Sequence, residues 1–153
     1  MTTLAPQVVS AISGGAHRPW HYARTESEWR RLIDELLGGQ QGHVLLYAWD
    51  RPAGGEADQY PRHQLKIVYT DGVGAAHFSN GDPARGPIGA WLTQTEQAPI
   101  NPPRVVYDPW DPHRVTLPAT ALLPIQQLRE LAKEYATTGQ RPVSTTWTPV
   151  DWV

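Results

Sequence analysis

Asp108 and Asp111 stand three residues apart in the stretch Asp108-Pro109-Trp110-Asp111-Pro112, with His113 beside them. Paired carboxylates next to an imidazole could supply the acid and base of a hydrolytic reaction. No cleft signature accompanies them, so hydrolysis around Asp108 and Asp111 is the weaker reading of this loop. His17 and His21 are spaced i and i+4, as metal-binding histidines on a helix would be. Pro19 interrupts them, however, and the glutamate of an H-E-x-x-H motif is missing. His43, His63 and His77 occur singly at strand starts or within strands. Gly72-x-Gly74 begins like a phosphate-binding fingerprint, but a strand follows it where a helix N-terminus would be needed. No G-x-S-x-G is present to place a nucleophilic serine on a strained turn. The sequence therefore offers no catalytic residues, no metal ligands and no cofactor fingerprint.

The same residues read better as a recognition surface. Pro109 and Pro112 restrict the backbone, Trp110 presents a large apolar face at small entropic cost, and Asp108 and Asp111 add negative charge beside it. A second acidic, aromatic segment runs from Trp49 to Tyr60, where Asp50, Glu56 and Asp58 outnumber Arg51. Together these nominate Trp49, Asp50, Glu56, Asp58, Tyr60, Asp108, Trp110 and Asp111 as contact residues. The alternative is that the two tryptophans cap the core while the acids keep the loops soluble.

Composition narrows the class of partner. A chain of 153 residues fits one domain over residues 1–153, with a core of its own. It has no cysteine, so disulfides, thiolate nucleophiles and thiolate metal sites are excluded together, as fits a reducing compartment. A formal charge of −2 argues against direct binding of nucleic acid, which calls for a basic stripe. No apolar run reaches the roughly 18 residues of a membrane span, and the first residues lack a basic start followed by an apolar core. The expectation is a cytoplasmic protein that engages neither membrane nor nucleic acid.

The elements that position these loops follow from periodicity. After a polar lead-in, Thr25 and Glu28 have capping-box spacing, and Trp29, Leu32, Ile33, Leu36 and Leu37 share one face of a helix ending near Gly38. The apolar run His43 to Trp49 reads as a buried strand. Asp71-Gly72 predicts a hairpin pairing His63–Thr70 with Val73–Ser79. Ile88 to Thr93 forms a further strand. Six prolines between Glu96 and Pro118 reduce Arg104–Tyr107 and Val115–Leu117 to short edge strands at best. Pro124 suits the first helical position, with Leu128, Leu131, Ala132 and Tyr135 at helical spacing behind it. Gly139 stops that helix, Pro142 prevents it from resuming, and a strand closes on Trp147. The fold class is thus α+β: a mainly antiparallel, meandering sheet with an N-terminal and a C-terminal helix packed on it.

The C-terminal order resembles the first-numbered immunity-protein family of bacterial polymorphic toxin systems. That family ends in a helix, a TG-x-RP-like turn and a tryptophan-bearing strand, and Thr138, Gly139, Arg141, Pro142 and Trp147 stand at these positions. Each has a structural explanation, so the motif speaks to fold more than to contact. The resemblance implies a non-enzymatic antitoxin that binds a co-encoded toxin, most often a zinc-dependent nucleic-acid deaminase, and blocks it by occlusion. The acidic, aromatic loops could then occupy the place of a nucleotide strand in the toxin's positive cleft. A small module that stacks sugars or peptides on exposed aromatics is the competing class.

Overall fold

Two periodicities build the molecule: residues alternating at two make a sheet, and residues recurring at three and four make the helices that cover it. The computed structural model describes residues 8–13, 20–50, 60–108 and 115–152. In chain order these form β1 (Val8–Ser13), β2 (Trp20–Ala23), α1 (Glu26–Leu36), β3 (Gln41–Trp49), β4 (His63–Thr70), β5 (Val73–Asn80) and β6 (Gly89–Gln94). The two-residue β7 (Leu123–Pro124), α2 (Ile125–Thr138) and β8 (Thr146–Val150) follow. The eight strands make one antiparallel sheet of order β2-β1-β3-β4-β5-β6-β8, with β7 paired to the start of β5. This is the α+β meander expected, and both helices pack on the same face.

The hairpin forms as the dipeptide predicts. Asp71 and Gly72 take positive φ values of 50° and 84°, and this left-handed pair matches the strand twist and sets the register Thr70↔Val73 through His63↔Asn80. Helix α1 starts on Thr25, whose side chain accepts from the Glu28 N–H at 3.2 Å. The Glu28 carboxylate in turn accepts from the Arg24 N–H at 2.8 Å, one residue further back than an ordinary capping box. Gly42 and Tyr69 are partners across β3 and β4. The tyrosine ring fills the space a Cβ at Gly42 would need, and its hydroxyl donates to the Leu36 carbonyl at 2.6 Å, fastening the end of α1 to the sheet. Arg129 donates to the Leu37 carbonyl at 3.1 Å, and Lys133 pairs with Asp34 at 2.9 Å, so the helices are also tied to each other.

Several boundaries differ from expectation. The polar lead-in contains two strands, so α1 is the third element. The run Val8–Ser13 hides its alternation because Ser10 is buried as completely as Val9 and Ala11, and β2 is only four residues long. Arg104–Tyr107 and Val115–Leu117 are not edge strands of the sheet. They pair with each other through a single bridge, Val106↔Thr116, and lie across its second face. Pro124 sits one place earlier than expected, as the N-cap of α2, because its extended ψ of 146° is committed to pairing with Val73. The last strand contains Trp147 and runs on to Val150.

Under α2, the fully buried Tyr135 hydroxyl lies 2.8 Å from His63 Nδ1 and accepts from the Ala48 N–H at 3.3 Å. Burial, helped by nearby Arg85, keeps the His63 ring neutral and lowers its pKa from 6.5 to about 4. As pH falls the unfolded chain therefore takes up the ring proton first. The stability held in a neutral His63 is complete above about pH 6.5 and drains away as pH approaches 4, by about 1.4 kcal/mol per pH unit. Denaturant titrations across that window should show the slope in the native chain and a shallower one in His63→Gln, where His77, its pKa also lowered by burial, still contributes.

Candidate partner-binding face

Cross-strand partners share a face, so the register assigns every residue of the sheet to one side. Away from the helices point Ser10 and Ile12 of β1, Leu45, Tyr47 and Trp49 of β3, Gln64, Lys66 and Val68 of β4, and Ala75 and His77 of β5. Half of this face is covered. Val105, Tyr107, Leu117, Ala121 and Leu122 lie on Val68, Ala75 and Leu92, forming a second, smaller core. The half built from β2, β1 and β3 has no such cover among the described residues, and it is aromatic.

Tyr60, the first described residue after Trp49 and Asp50, folds back over this half. Its ring centroid lies 5.1 Å from Tyr47, 5.2 Å from Trp49 and 5.3 Å from Trp20, and Trp20 stands 6.0 Å from Tyr47. Trp49 forms the floor, 3% exposed, with its indole N–H donating to Ser10 Oγ at 2.7 Å. Tyr47 donates to Gln64 Oε1 at 2.8 Å, which fixes the tilt of its ring against Trp20 and Tyr60. Tyr60 is the outer member, 46% exposed, and Tyr22, opposite Ser10 on the same face, is 47% exposed. A rigid cluster with two half-exposed tyrosines has the composition of an interface anchor: large contact area, polar tips and little rotamer entropy left to lose.

Where the covered and open halves meet, Lys66 is buried, with Nζ 3.7 Å from the centre of the Tyr107 ring. Burial lowers its pKa, and the carboxylate of Asp108 pulls the other way. The same carboxylate adds to the effect of burial in raising Tyr107 to about 12. On the far side of Tyr107, Trp152 stacks on His77 at 5.0 Å, and the His77 Nε2–H donates to the Trp152 carbonyl at 2.9 Å. Asp108, the residue after Tyr107, therefore brings its charge close to Lys66 at the boundary between the two halves.

The structure packs Trp49 against Tyr60, two of the eight residues nominated from sequence, and sets Asp108 near Lys66 and Tyr107. Asp50 is sent elsewhere. It follows Trp49 by one residue and turns to the helix side, where it pairs with Arg85 at 3.0 Å. Glu56, Asp58, Trp110 and Asp111 lie outside the described residues. Sequence reasoning missed Trp20, Tyr22, Tyr47 and Lys66. Tyr47 carried a signal, since it precedes Trp49 by two and so shares its face. Trp20 and Tyr22 became visible only once β2 was known to be a strand. Of the motif residues, Gly139 takes the left-handed conformation and its N–H donates to the Tyr135 carbonyl at 2.7 Å. Pro142 is buried and accepts from the Trp147 indole N–H at 2.8 Å.

A family model described as Immunity protein Imm1 matches residues 17–149, a span that includes both helices, the aromatic cluster and the Lys66 column up to Asp108. No curated protein matches the chain. No described helix is long and apolar enough to cross a membrane.

The cluster should divide cleanly into floor and surface. Trp49→Ala, which empties a buried site and strands Ser10, is expected to cost about 3–5 kcal/mol. Tyr60→Ala loses ring contacts, about 1–2 kcal/mol. Tyr22→Ala should stay within about 0.5 kcal/mol of the native chain. Urea unfolding of the three variants checks the order; a Tyr22 variant as damaged as the Trp49 one would show that the outer ring is part of the core.

Proposed function

The chain belongs to the Imm1 immunity-protein family, and from that premise we propose that it neutralises a co-encoded nucleic-acid deaminase toxin by laying the open aromatic half of its sheet over the toxin's substrate cleft. The immunity role comes with the family. The deaminase, the occlusion and a cytoplasmic site of action are the finer reading, supported by the resemblance of the Thr138–Trp147 motif and by the chemistry of the face. The observation that carries it is the cluster of Trp20, Tyr47, Trp49 and Tyr60, with Tyr22 exposed on the same face and the Asp108 charge near Lys66 at the boundary of that half. A deaminase that acts on an extruded base must present a cleft of stacking surfaces and cationic phosphate contacts. Aromatic rings beside a carboxylate complement such a cleft without any bond being made or broken. The inhibitor is therefore read as a passive plug, not as an enzyme, with no cofactor, no membrane contact and no nucleic acid of its own.

Charge at the rim of such an interface acts chiefly on encounter, while the buried anchors set the lifetime of the complex. Surface-binding kinetics with the neighbouring toxin domain should accordingly separate two classes of variant. Asp108→Lys is expected to slow association several-fold and reduce its salt dependence. The double variant Tyr22→Ala, Tyr60→Ala should speed dissociation by about 10- to 100-fold and lose protection of cells that express the toxin. Full protection by both variants would remove this face from the interface, and failure of the native chain to protect would dismiss the antitoxin reading itself.

A further inference from the structure

The turn motif holds one residue that folding does not explain. Thr138 donates to the Glu134 carbonyl and receives the Gln140 N–H, Gly139 closes the helix, and Pro142 and Trp147 bond to each other. Arg141 makes no hydrogen bond or ion pair with a described residue. It is exposed, and its guanidinium carbon lies over the Trp91 ring, 4.6 Å from the centroid. Stacking of that kind orients the planar fork without using its N–H donors.

Arg141 lies on one wall of an open groove of about 1020 Å3 on the helix side of the sheet, lined by Asp50, Arg85, Trp91, Pro142 and Trp147 among others. Arg85 stands in the same groove with its side chain only 13% exposed. One of its terminal nitrogens binds Asp50 at 3.0 Å, while the other, Nη1, is enclosed and has no hydrogen-bond partner. A buried guanidinium N–H without an acceptor is costly, so a partner that shifts the groove wall enough to bring an acceptor to Nη1 would be held strongly there. Two guanidiniums with unused donors, reached by different routes from β6, α2 and the turn after β5, thus line one groove.

We propose that this groove is a second contact site for the partner toxin, receiving an extended acidic segment whose single carboxylate is taken by the free donors of Arg85 and Arg141 while a neighbouring apolar side chain lies against Trp147 and Pro142. The proposal rests on the antitoxin reading. Charge selects the occupant: two arginines against Asp50 leave one positive charge, which suits one carboxylate. A polyphosphate strand would bring several negative charges up to Asp50 and to a chain that is already net −2. Continuity selects the partner. Trp49 and Asp50 are adjacent in the chain, one in the aromatic floor and the other in the groove, so both sites border the same end of β3 and one bound domain can reach over the sheet rim to fill both.

The experiment titrates the toxin domain against the native chain, Arg141→Gln and Arg85→Lys, each first shown by thermal melting to be folded. Arg141 is exposed and unpaired, so Arg141→Gln should melt with the native chain and weaken binding by about 10- to 100-fold, chiefly in dissociation. Arg85→Lys keeps a cation for Asp50 and removes the free fork, and a loss of about 3- to 10-fold is expected. In parallel, inorganic phosphate and a short single-stranded oligonucleotide are added to the native chain, with neither expected to bind. Native affinity in Arg141→Gln would overturn the groove site and leave the antitoxin reading standing. Oligonucleotide binding that disappears in Arg141→Gln would overturn it in favour of a phosphate site. No complex with the native chain would end both.

Discussion

A sheet seven strands wide has two faces, and both of the helices described in this chain lie on one of them. Most of what is distinctive about the molecule follows from that imbalance. The helix side closes over Leu46, Leu65, Ile67, Phe78, Leu128 and Leu131, all nearly or fully withdrawn from water. The second side must be covered by whatever chain remains, and among the described residues Val105, Tyr107, Leu117, Ala121 and Leu122 of the proline-rich stretch cover it at β4, β5 and β6. A stretch with so many prolines cannot extend the sheet, because it lacks donors for another ladder. It can lie flat on a sheet face, where side chains rather than backbone make the contact. The uncovered remainder is stable in water because its aromatics carry polar ends that bond to Ser10 and Gln64 or face solvent.

Polar atoms sealed between the layers show how closely the parts are matched. Tyr135 brings a hydroxyl into an apolar core, which would be expensive if it had no partner. The start of β4 supplies His63, and the backbone of β3 supplies Ala48, so a single residue of α2 fixes the helix against two strands at once. Tyr69 does the equivalent for α1 by crossing Gly42 to the Leu36 carbonyl. Each tyrosine works because the facing position is small or polar in the right register. Changing the register of β4 by one residue would turn the Tyr69 hydroxyl and the His63 ring toward the wrong face.

Elements specified by local chemistry were legible in the sequence. Thr25 and Glu28 announce α1, Asp71-Gly72 sets the β4–β5 register, and Gly139 ends α2. Elements specified by long-range pairing were not. Strand β1 has serines at both solvent-facing and buried places, and β2 is recognisable only by its pairing to β1, so neither shows a period of its own. The candidate site divides in the same way. Trp49 and Tyr60 were visible as neighbours along a loop, whereas their packing with Trp20 needs the β2-β1-β3 order, which no short-range signal encodes. The alternation that was available could have separated Asp50 from Trp49 and joined Tyr47 to it.

That alternation has a functional consequence. At the end of β3, one step along the backbone carries the chain from an aromatic floor to a pocket of guanidiniums, because consecutive side chains of a strand point to opposite faces. A partner bound at this rim meets acid and aromatic character on one side and cationic character on the other. Two surfaces of opposite sign meeting at one edge discriminate better than either alone, since a wrong partner with the right aromatic pocket would still place like charges together on the other face. Specificity of this kind is what an immunity protein needs, and it requires no deep cavity. The sheet rim supplies it through nothing more than the period of a β-strand.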